Sequence, residues 1–328
     1  MGNMTRHDLL LRVNEMVGSD LEIAEQKFAE ELQSWHPYVT DVVAHVTRFR
    51  GKRLRPILVL LSAQACGGIR NEHHVLSAVV EMIHAATLVH DDVLDEADTR
   101  RHVATVNSRW NNETSVLCGD YLFTHAFHLA ASLDAHACRL IGRATNLVCE
   151  GELCQVHERA NSNLSQEQYY RIINGKTAEL CALCSYAGAH YADATEEVSD
   201  AFREYGRLLG MAFQIADDVL DLVGDESNTG KSIGTDYEKQ KLTLPLIHLL
   251  QSAPEATITK ARELIENPSP ENRAALIDMV RNSDAIEFAI ATAREFADKA
   301  IEQLNVVPDS PARQILAEMA EFACQRSF

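Results

Sequence analysis

With 328 residues the chain can form one large domain or two ordinary ones, and 46% hydrophobic against 24% charged residues is a globular balance with ample core material. Forty-eight acidic residues against 30 Lys+Arg give a formal net charge of −18, the wrong sign for a protein that coats nucleic acid or anionic lipid. Eight prolines and 15 glycines exclude a collagenous or linker-dominated chain, and 6% aromatics fit an all-β sandwich poorly.

Apolar residues recur at three- and four-residue spacing from the start: Leu9, Leu10, Val13 and Val17 set a first helix. The most apolar stretch, Pro56 to Cys66, is interrupted by Ser62 and Gln64 and is too short to span a bilayer. Gly67-Gly68 breaks the pattern, and Val75, Ala78, Val79, Met82, Ile83 and Ala86 then mark a second long helix. His73-His74 falls in a loop or first helical turn, without an evident ligand partner. Ser165-Gln166-Glu167-Gln168 is a capping-box start, and Thr195-Glu196-Glu197 opens another acidic first turn. Further breaks fall at Gly224 to Gly234, Asn267-Pro268-Ser269-Pro270 and Val307-Pro308-Asp309-Ser310-Pro311. No run of period-two alternation competes, so an all-α chain is expected.

Eight cysteines lie scattered in helix-like text. Without a signal peptide they read as reduced thiols of a cytoplasmic protein. Cys181-Ala182-Leu183-Cys184 has zinc-like spacing, but no second Cys or His pair follows, so buried helix cysteines are expected. Gly2 is followed by Arg6 where myristoylation needs Ser or Thr, and Cys324 is fifth from the end where prenylation needs the fourth. No stable membrane anchor is expected.

One short string occurs twice. Asp91-Asp92-Val93-Leu94-Asp95 is matched by Asp217-Asp218-Val219-Leu220-Asp221, each at the end of an apolar helical run. Residues i and i+4 share a helix face, so Asp91 stacks with Asp95 and Asp217 with Asp221. The macrodipole at a helix C-terminus is already negative, and two carboxylates about 4 Å apart repel by about 4 kcal/mol at an effective dielectric near 20. A cation must offset this. Mg²⁺, which combines one or two carboxylates with waters and phosphate oxygens, suits the pattern. A solvated acidic helix end explains one cluster; two identical ones, each followed by basic residues, point to a shared ligand. Those basic residues are Arg100-Arg101 and, in the loop Gly230 to Asp236, Lys231. Further cations stand near loop glycines in Gly51-Lys52-Arg53-Leu54-Arg55-Pro56 and Asn174-Gly175-Lys176-Thr177. Such islands suit diphosphate binding. The stretch from Gly224 has five residues between its glycines where a P-loop has four, and it follows a helix, so nucleotide hydrolysis is excluded.

Together these strings resemble the trans-prenyltransferases, the head-to-tail isoprenyl diphosphate synthases. The resemblance covers roughly Gly51 to Pro245 and includes Phe213-Gln214-Ile215-Ala216 before the second cluster, Gly119-Asp120-Tyr121-Leu122, and Lys241-Leu242-Thr243-Leu244-Pro245. It implies a single domain over 1–328, an all-α isoprenoid synthase-type helical bundle around a deep central cavity that both aspartate clusters face. Asp91, Asp92, Asp95, Asp217, Asp218 and Asp221 would hold roughly three Mg²⁺ ions bridging the allylic diphosphate. Arg100, Lys176, Lys231 and Lys241 would complete that diphosphate's cradle, while Lys52, Arg55, His84 and Arg101 hold isopentenyl diphosphate. Thr177 and Gln214 would lie near the forming carbocation. The resemblance also implies a homodimer. Arg50 departs from the second glycine many relatives carry there, and His102 and Ala104 replace Gly and Pro after the arginine pair.

The reaction so implied needs no Ser/His/Asp array. The allylic carbon–oxygen bond ionises as the metal draws charge from the diphosphate, the isopentenyl double bond attacks, and the proton leaves with the diphosphate. An apolar wall keeps out water that would quench the cation. One helical turn rises about 5.4 Å, roughly an isoprene unit, so a bulky aromatic in the turn before Asp91 would stop growth, as in the family's short-chain members. Here Ala85, Ala86 and Thr87 are small, with Met82 and Ile83 one turn deeper. A long-chain polyprenyl diphosphate, of the kind used for quinone side chains, is therefore expected, and the stretch from His84 to Asp92 looks most like the octaprenyl and other polyprenyl synthases of bacteria. A shorter farnesyl or geranylgeranyl product is the alternative. A class I terpene cyclase has no use for the second diphosphate site of Lys52, Arg55 and Arg101, and a non-catalytic partner subunit would not need all six aspartates.

Overall fold

Helix follows helix through the described residues, 6–49, 51–224, 234–267 and 269–324 of this computed structural model. Arg50 and the loop carrying Lys231 lie outside them. Helices α1 (Arg6–Glu31), α2 (Pro37–Val46), α3 (Leu54–Cys66) and α4 (Asn71–Leu94) come first. A small hairpin follows, then α5 (Val106–Arg109), α6 (Asn112–Ala131), α7 (Ala135–His157), α8 (Gln166–Ile173), α9 (Glu179–His190) and α10 (Glu196–Val223). The remaining helices are α11 (Thr235–Glu238), α12 (Leu244–Ser252), α13 (Glu255–Glu266), α14 (Pro270–Arg281), α15 (Ala285–Gln303) and α16 (Pro311–Cys324). The breaks read from glycine and proline coincide with helix ends. Gly67 stands just beyond α3, Pro270 and Pro311 open α14 and α16, and α10 stops before Gly224. Ser165 and Gln168 form the reciprocal capping box at the start of α8.

The chain divides into two compact units. The first takes residues up to Thr145 with Leu183–Arg203 and Leu304–Leu316; the second takes Asn146–Ala182, Glu204–Gln303 and the residues from Ala317. In the first unit, α4 packs on α1, α3 and α6. Its Val75, Val79, Met82, Ile83, Ala86 and Val89 are buried, as are four successive residues of α3, Leu58 to Leu61. An apolar run buried on all sides explains why α3 shows no amphipathic stripe. His73 is a structural histidine rather than a ligand: its Nδ1 accepts from the Arg70 amide and its Nε2 bonds to the Gly188 carbonyl. In the second unit, α12 packs on α8, α13, α14 and α15.

The pattern reading missed one element. Thr99–Arg100 (β1) pairs antiparallel with Val103–Ala104 (β2), strands too short to show alternation. Arg101 and His102 form the two-residue loop with φ of 51° and 64°, the left-handed pair that a tight hairpin requires. A glycine at position 102 would adopt this conformation without strain, and His102 does so at a cost of roughly 1–3 kcal/mol.

Cys181 and Cys184 are buried in α9, as expected of core thiols. Among the described residues, no helix is long and apolar enough to cross a membrane.

Candidate active site

The first aspartate cluster ends α4. Asp95 caps the helix, its amide bonded to the Asp91 carbonyl at 2.8 Å. Asp92 is fully buried, and its Oδ1 accepts from Arg100 Nε at 2.9 Å and Nη2 at 2.7 Å. The hairpin thus exists to bring a guanidinium against a buried carboxylate at the negative end of a helix, where an uncompensated charge would be costly. Two and three turns further back stand His84 and Glu81. Burial pushes the His84 imidazole well below its usual range, and the positive charges of Arg55, Arg101 and Arg100 push the same way, so the ring is neutral. Burial raises the Glu81 carboxyl, against the pull of Arg55, Arg53 and Arg101.

Four arginines therefore converge on one stripe of α4, and they divide by role. Arg53, left-handed at the N-cap of α3, is paired with Glu25 of α1 and holds the fold. Arg101 donates to the Phe49 carbonyl, and its guanidinium lies where a side chain at Gly51 would sit, 2.6 Å from a Cβ there. That close approach accounts for the glycine of the Gly51 to Pro56 string. Arg55 Nε is buried and has no hydrogen-bond partner among the described residues. Buried donors are rarely left so, and such an atom marks where an external acceptor belongs. Gly119 has a packing role as well. A Cβ there would stand 2.1 Å from His90 Nε2, so the glycine lets α6 close on α4.

The proposed length-setting residues lie on two faces of α4. Met82 and Ala86 have no accessible surface. Thr87 is partly exposed and donates to the His84 carbonyl at 2.8 Å.

The second cluster occupies the last two turns of α10. Its centre is a chain of hydrogen bonds: Thr177 Oγ1 donates to Gln214 Oε1 at 2.8 Å, Gln214 Nε2 to Asp218 Oδ1 at 2.7 Å, and Tyr169 OH to Asp218 Oδ2 at 2.5 Å. Burial, with the charge of Asp236 next, holds the Asp218 carboxyl well above the usual range. Tyr169 was not a sequence candidate; a lone tyrosine on a short helix carries no signal. Asp221 anchors the returning chain: Oδ1 accepts from the Thr235 amide at 3.1 Å and hydroxyl at 2.7 Å, Oδ2 from the Asp236 amide at 3.1 Å. Burial and Asp221 push the Asp236 carboxyl up to about 6, while Lys241 pulls it down.

Lys176 and Thr177 sit on a single π-helical turn, Asn174–Ala178, between α8 and α9. Such turns are rare and frequently mark functional sites. Lys176 Nζ contacts Glu152 Oε2 at 2.6 Å and Gln155 Oε1 at 2.9 Å, which gives Glu152 of α7 a role that sequence could not assign. Two glycines make room for the turn: a Cβ on Gly151 would stand 2.5 Å from the Lys176 amide nitrogen, and one on Gly175 2.8 Å from the Leu147 carbonyl. Because the obstacle is backbone, Gly151→Ala must displace the turn. It is expected to cost about 1–3 kcal/mol and to lower the turnover rate more than tenfold, checked by thermal melts beside steady-state kinetics.

An all-helical fold in which helices end in carboxylate clusters, one beside convergent guanidiniums and one beside an amide–hydroxyl chain, defines a prenyl-diphosphate enzyme. The comparisons with known proteins agree. The Polyprenyl synthetase family profile matches residues 36–282. Octaprenyl diphosphate synthase of Escherichia coli is 34% identical over 97% of this chain and 99% of its own. Among solved structures, the decaprenyl diphosphate synthase of Rhodobacter capsulatus superimposes with a TM-score of 0.91 at 34% identity, covering 97% of this chain and 99% of that one. A polyprenyl synthase from Caulobacter crescentus, complexed with calcium and isoprenyl diphosphate, gives 0.92 at 33% identity, covering 97% and 98%. The chain belongs to the polyprenyl synthetase family and is a trans-prenyltransferase. The family uses divalent metal ions, and the donors fit. Each cluster offers carboxylate oxygen, the hard ligand Mg²⁺ prefers, with no thiolate or imidazole inside the repeated string.

Proposed function

We propose that the chain condenses isopentenyl diphosphate with an allylic diphosphate, head-to-tail and trans, to a long-chain polyprenyl diphosphate of the kind used for quinone side chains. The observation that carries this reading is the buried, unsatisfied Arg55 Nε beside Arg101 and neutral His84, two helical turns from an aspartate cluster. Such a cluster of fixed donors suits an anion, and the aspartates beside it suit a metal-bound one.

In this reading Lys52, Arg55, His84 and Arg101 seat isopentenyl diphosphate. A neutral His84 donates a hydrogen bond without repelling the surrounding guanidiniums. Asp91, Asp92, Asp95, Asp217 and Asp218 would hold Mg²⁺, with Asp221 chiefly ordering the chain behind them; when bound, the ions neutralise the leaving diphosphate. Arg100, fixed by Asp92, presents its remaining N–H groups to that diphosphate, and Lys176, Lys231 and Lys241 add charge. Thr177 and Gln214, locked to Asp218, place neutral dipoles beside the cation, which stabilise it without offering a nucleophile. Residues 1–328 would act as one catalytic domain, in a cytoplasmic homodimer. The names of the octaprenyl and decaprenyl relatives and the small residues before Asp91 support a long product.

Incubating the purified protein with Mg²⁺, labelled isopentenyl diphosphate and farnesyl diphosphate, then sizing the products, tests both levels. Products longer than the four-unit diphosphate are expected. Termination at four units would overturn the long-chain reading, and no condensation at all would overturn the activity.

A further inference from the structure

Outside the aspartate clusters, one group of ligand-type side chains among the described residues meets at a point. Glu31, the last residue of α1, and His125 and His128 of α6 all belong to the first unit. Glu31 Oε1 receives both imidazoles through the same ring atom, His125 Nδ1 at 2.9 Å and His128 Nδ1 at 2.8 Å. The three donor atoms lie within 4.8 Å of one another. His125 and His128 are three residues apart, the spacing that puts neighbours on one helix face. The Tyr121 ring packs against His125 with centroids 4.3 Å apart and limits the ring's freedom. The Glu31 and His125 side chains are 15% and 26% exposed, whereas His128 is 79% exposed. The point is therefore shielded on one side and reachable by a solute on the other.

We propose that Glu31, His125 and His128 form a binding site for a transition-metal ion of the Zn²⁺ type, separate from the carboxylate clusters. The donor set decides the metal. Two imidazole nitrogens and one carboxylate oxygen are ordinary Zn²⁺ ligands, whereas Mg²⁺ takes oxygen almost alone. Geometry agrees. Ligands held at Zn²⁺ bond lengths in a tetrahedron are about 3.3 Å apart, so the Glu31–imidazole separations of 2.8 and 2.9 Å open by about half an ångström and the two imidazole nitrogens, within 4.8 Å of each other, settle to the same spacing, a movement the exposed His128 makes freely. Electrostatics favour occupancy. Glu31 stands at the C-terminal, negative end of α1, where a cation is favourable. Burial would raise its carboxyl, but the hydrogen bonds and charge of the two histidines more than reverse that, so it is an ionised ligand in waiting. On binding, each imidazole coordinates as the neutral ring through its Nδ1 lone pair with the proton on Nε2, so a neutral ring shifts its Nδ1 proton to Nε2 through solvent and a protonated ring releases one proton, and water completes the shell. The ion ties the end of α1 to α6, and any ligand that binds only the folded chain raises its melting temperature.

The test uses the full chain, dialysed against micromolar Zn²⁺ in the presence of millimolar Mg²⁺ to fill the aspartate clusters, with bound zinc then measured by elemental analysis. About one Zn²⁺ per chain is expected, absent from the His125→Ala/His128→Ala variant and at least tenfold weaker in Glu31→Gln. A Cys149→Ser/Cys154→Ser variant, which removes the exposed thiols, is expected to keep it. Zinc is expected to raise the melting temperature of the parent and not of the double histidine variant, whose circular dichroism shows whether it is folded. No zinc on the parent chain, or equal zinc on the folded double variant, overturns the site. Prenyl-transfer activity is not the readout, so the result is independent of the reaction proposed above.

Discussion

Asp92→Asn is expected to lower kcat by about 10³-fold while the chain stays helical. The argument starts from burial. Asp92 has no accessible surface, and its Oδ1 takes two N–H groups of Arg100. An amide fills the same space but carries no charge, so it neither holds a divalent cation nor balances the guanidinium. Losing one fixed electrostatic contact to a developing charge costs about 10²–10³-fold, and loosening Arg100, the diphosphate ligand proposed above, would carry the effect to the top of that range. Stability also falls, by about 1.5–3 kcal/mol for a charge-assisted bond; Arg100 keeps 24% of its side chain in solvent, which limits the loss. The check is kcat at saturating Mg²⁺ beside a thermal melt. A well-folded variant within tenfold of the parent rate would remove Asp92 from the machinery.

Local features of the fold were legible in the sequence. The capping box of Ser165 and Gln168, the acidic first turn of α10 and the glycine and proline stops each involve residues within a turn of one another, so the string carries them whole. The aspartates were legible for a different reason: a repeated carboxylate string at a helix end is costly enough to demand a ligand wherever the chain goes. What escaped was set by contacts between distant segments. Tyr169 reaches Asp218 from α8, Glu152 reaches Lys176 from α7, and Glu25 of α1 takes Arg53 out of the set of basic residues that a diphosphate would meet. No spacing rule encodes such pairs. Glycine roles were equally hidden, since Gly51, Gly119 and Gly151 are required by what lies opposite them. The hairpin of Thr99 to Ala104 is too brief for periodicity to report, yet it delivers Arg100. Asp221 carries a contact that its string does not reveal: its oxygens also hold Thr235 and Asp236.

Thr87→Phe is expected to shorten the longest product to about three or four isoprene units without slowing the first condensation. Position 87 precedes Asp91 by four residues, one turn of about 5.4 Å along the same face, which is where, on the proposed reading, a prenyl tail leaving the metal-bound diphosphate would begin to run. Its side chain is partly exposed, so a phenyl ring has room, and the hydrogen bond it sacrifices is a local one to the His84 carbonyl. Ala86 is the instructive contrast. With Met82 and Val89 it lies on the fully buried side of α4, where the added volume of phenylalanine must displace packed neighbours at a cost of about 1–3 kcal/mol. Ala86→Phe is therefore expected to shorten products as well, but with a lower melting temperature, because the ring reaches the tail only by pushing the core aside. Sizing dephosphorylated products from both variants, with melts in parallel, separates a wall residue from a packing residue. Parent-length products from folded Thr87→Phe would show that the tail does not pass that face of α4.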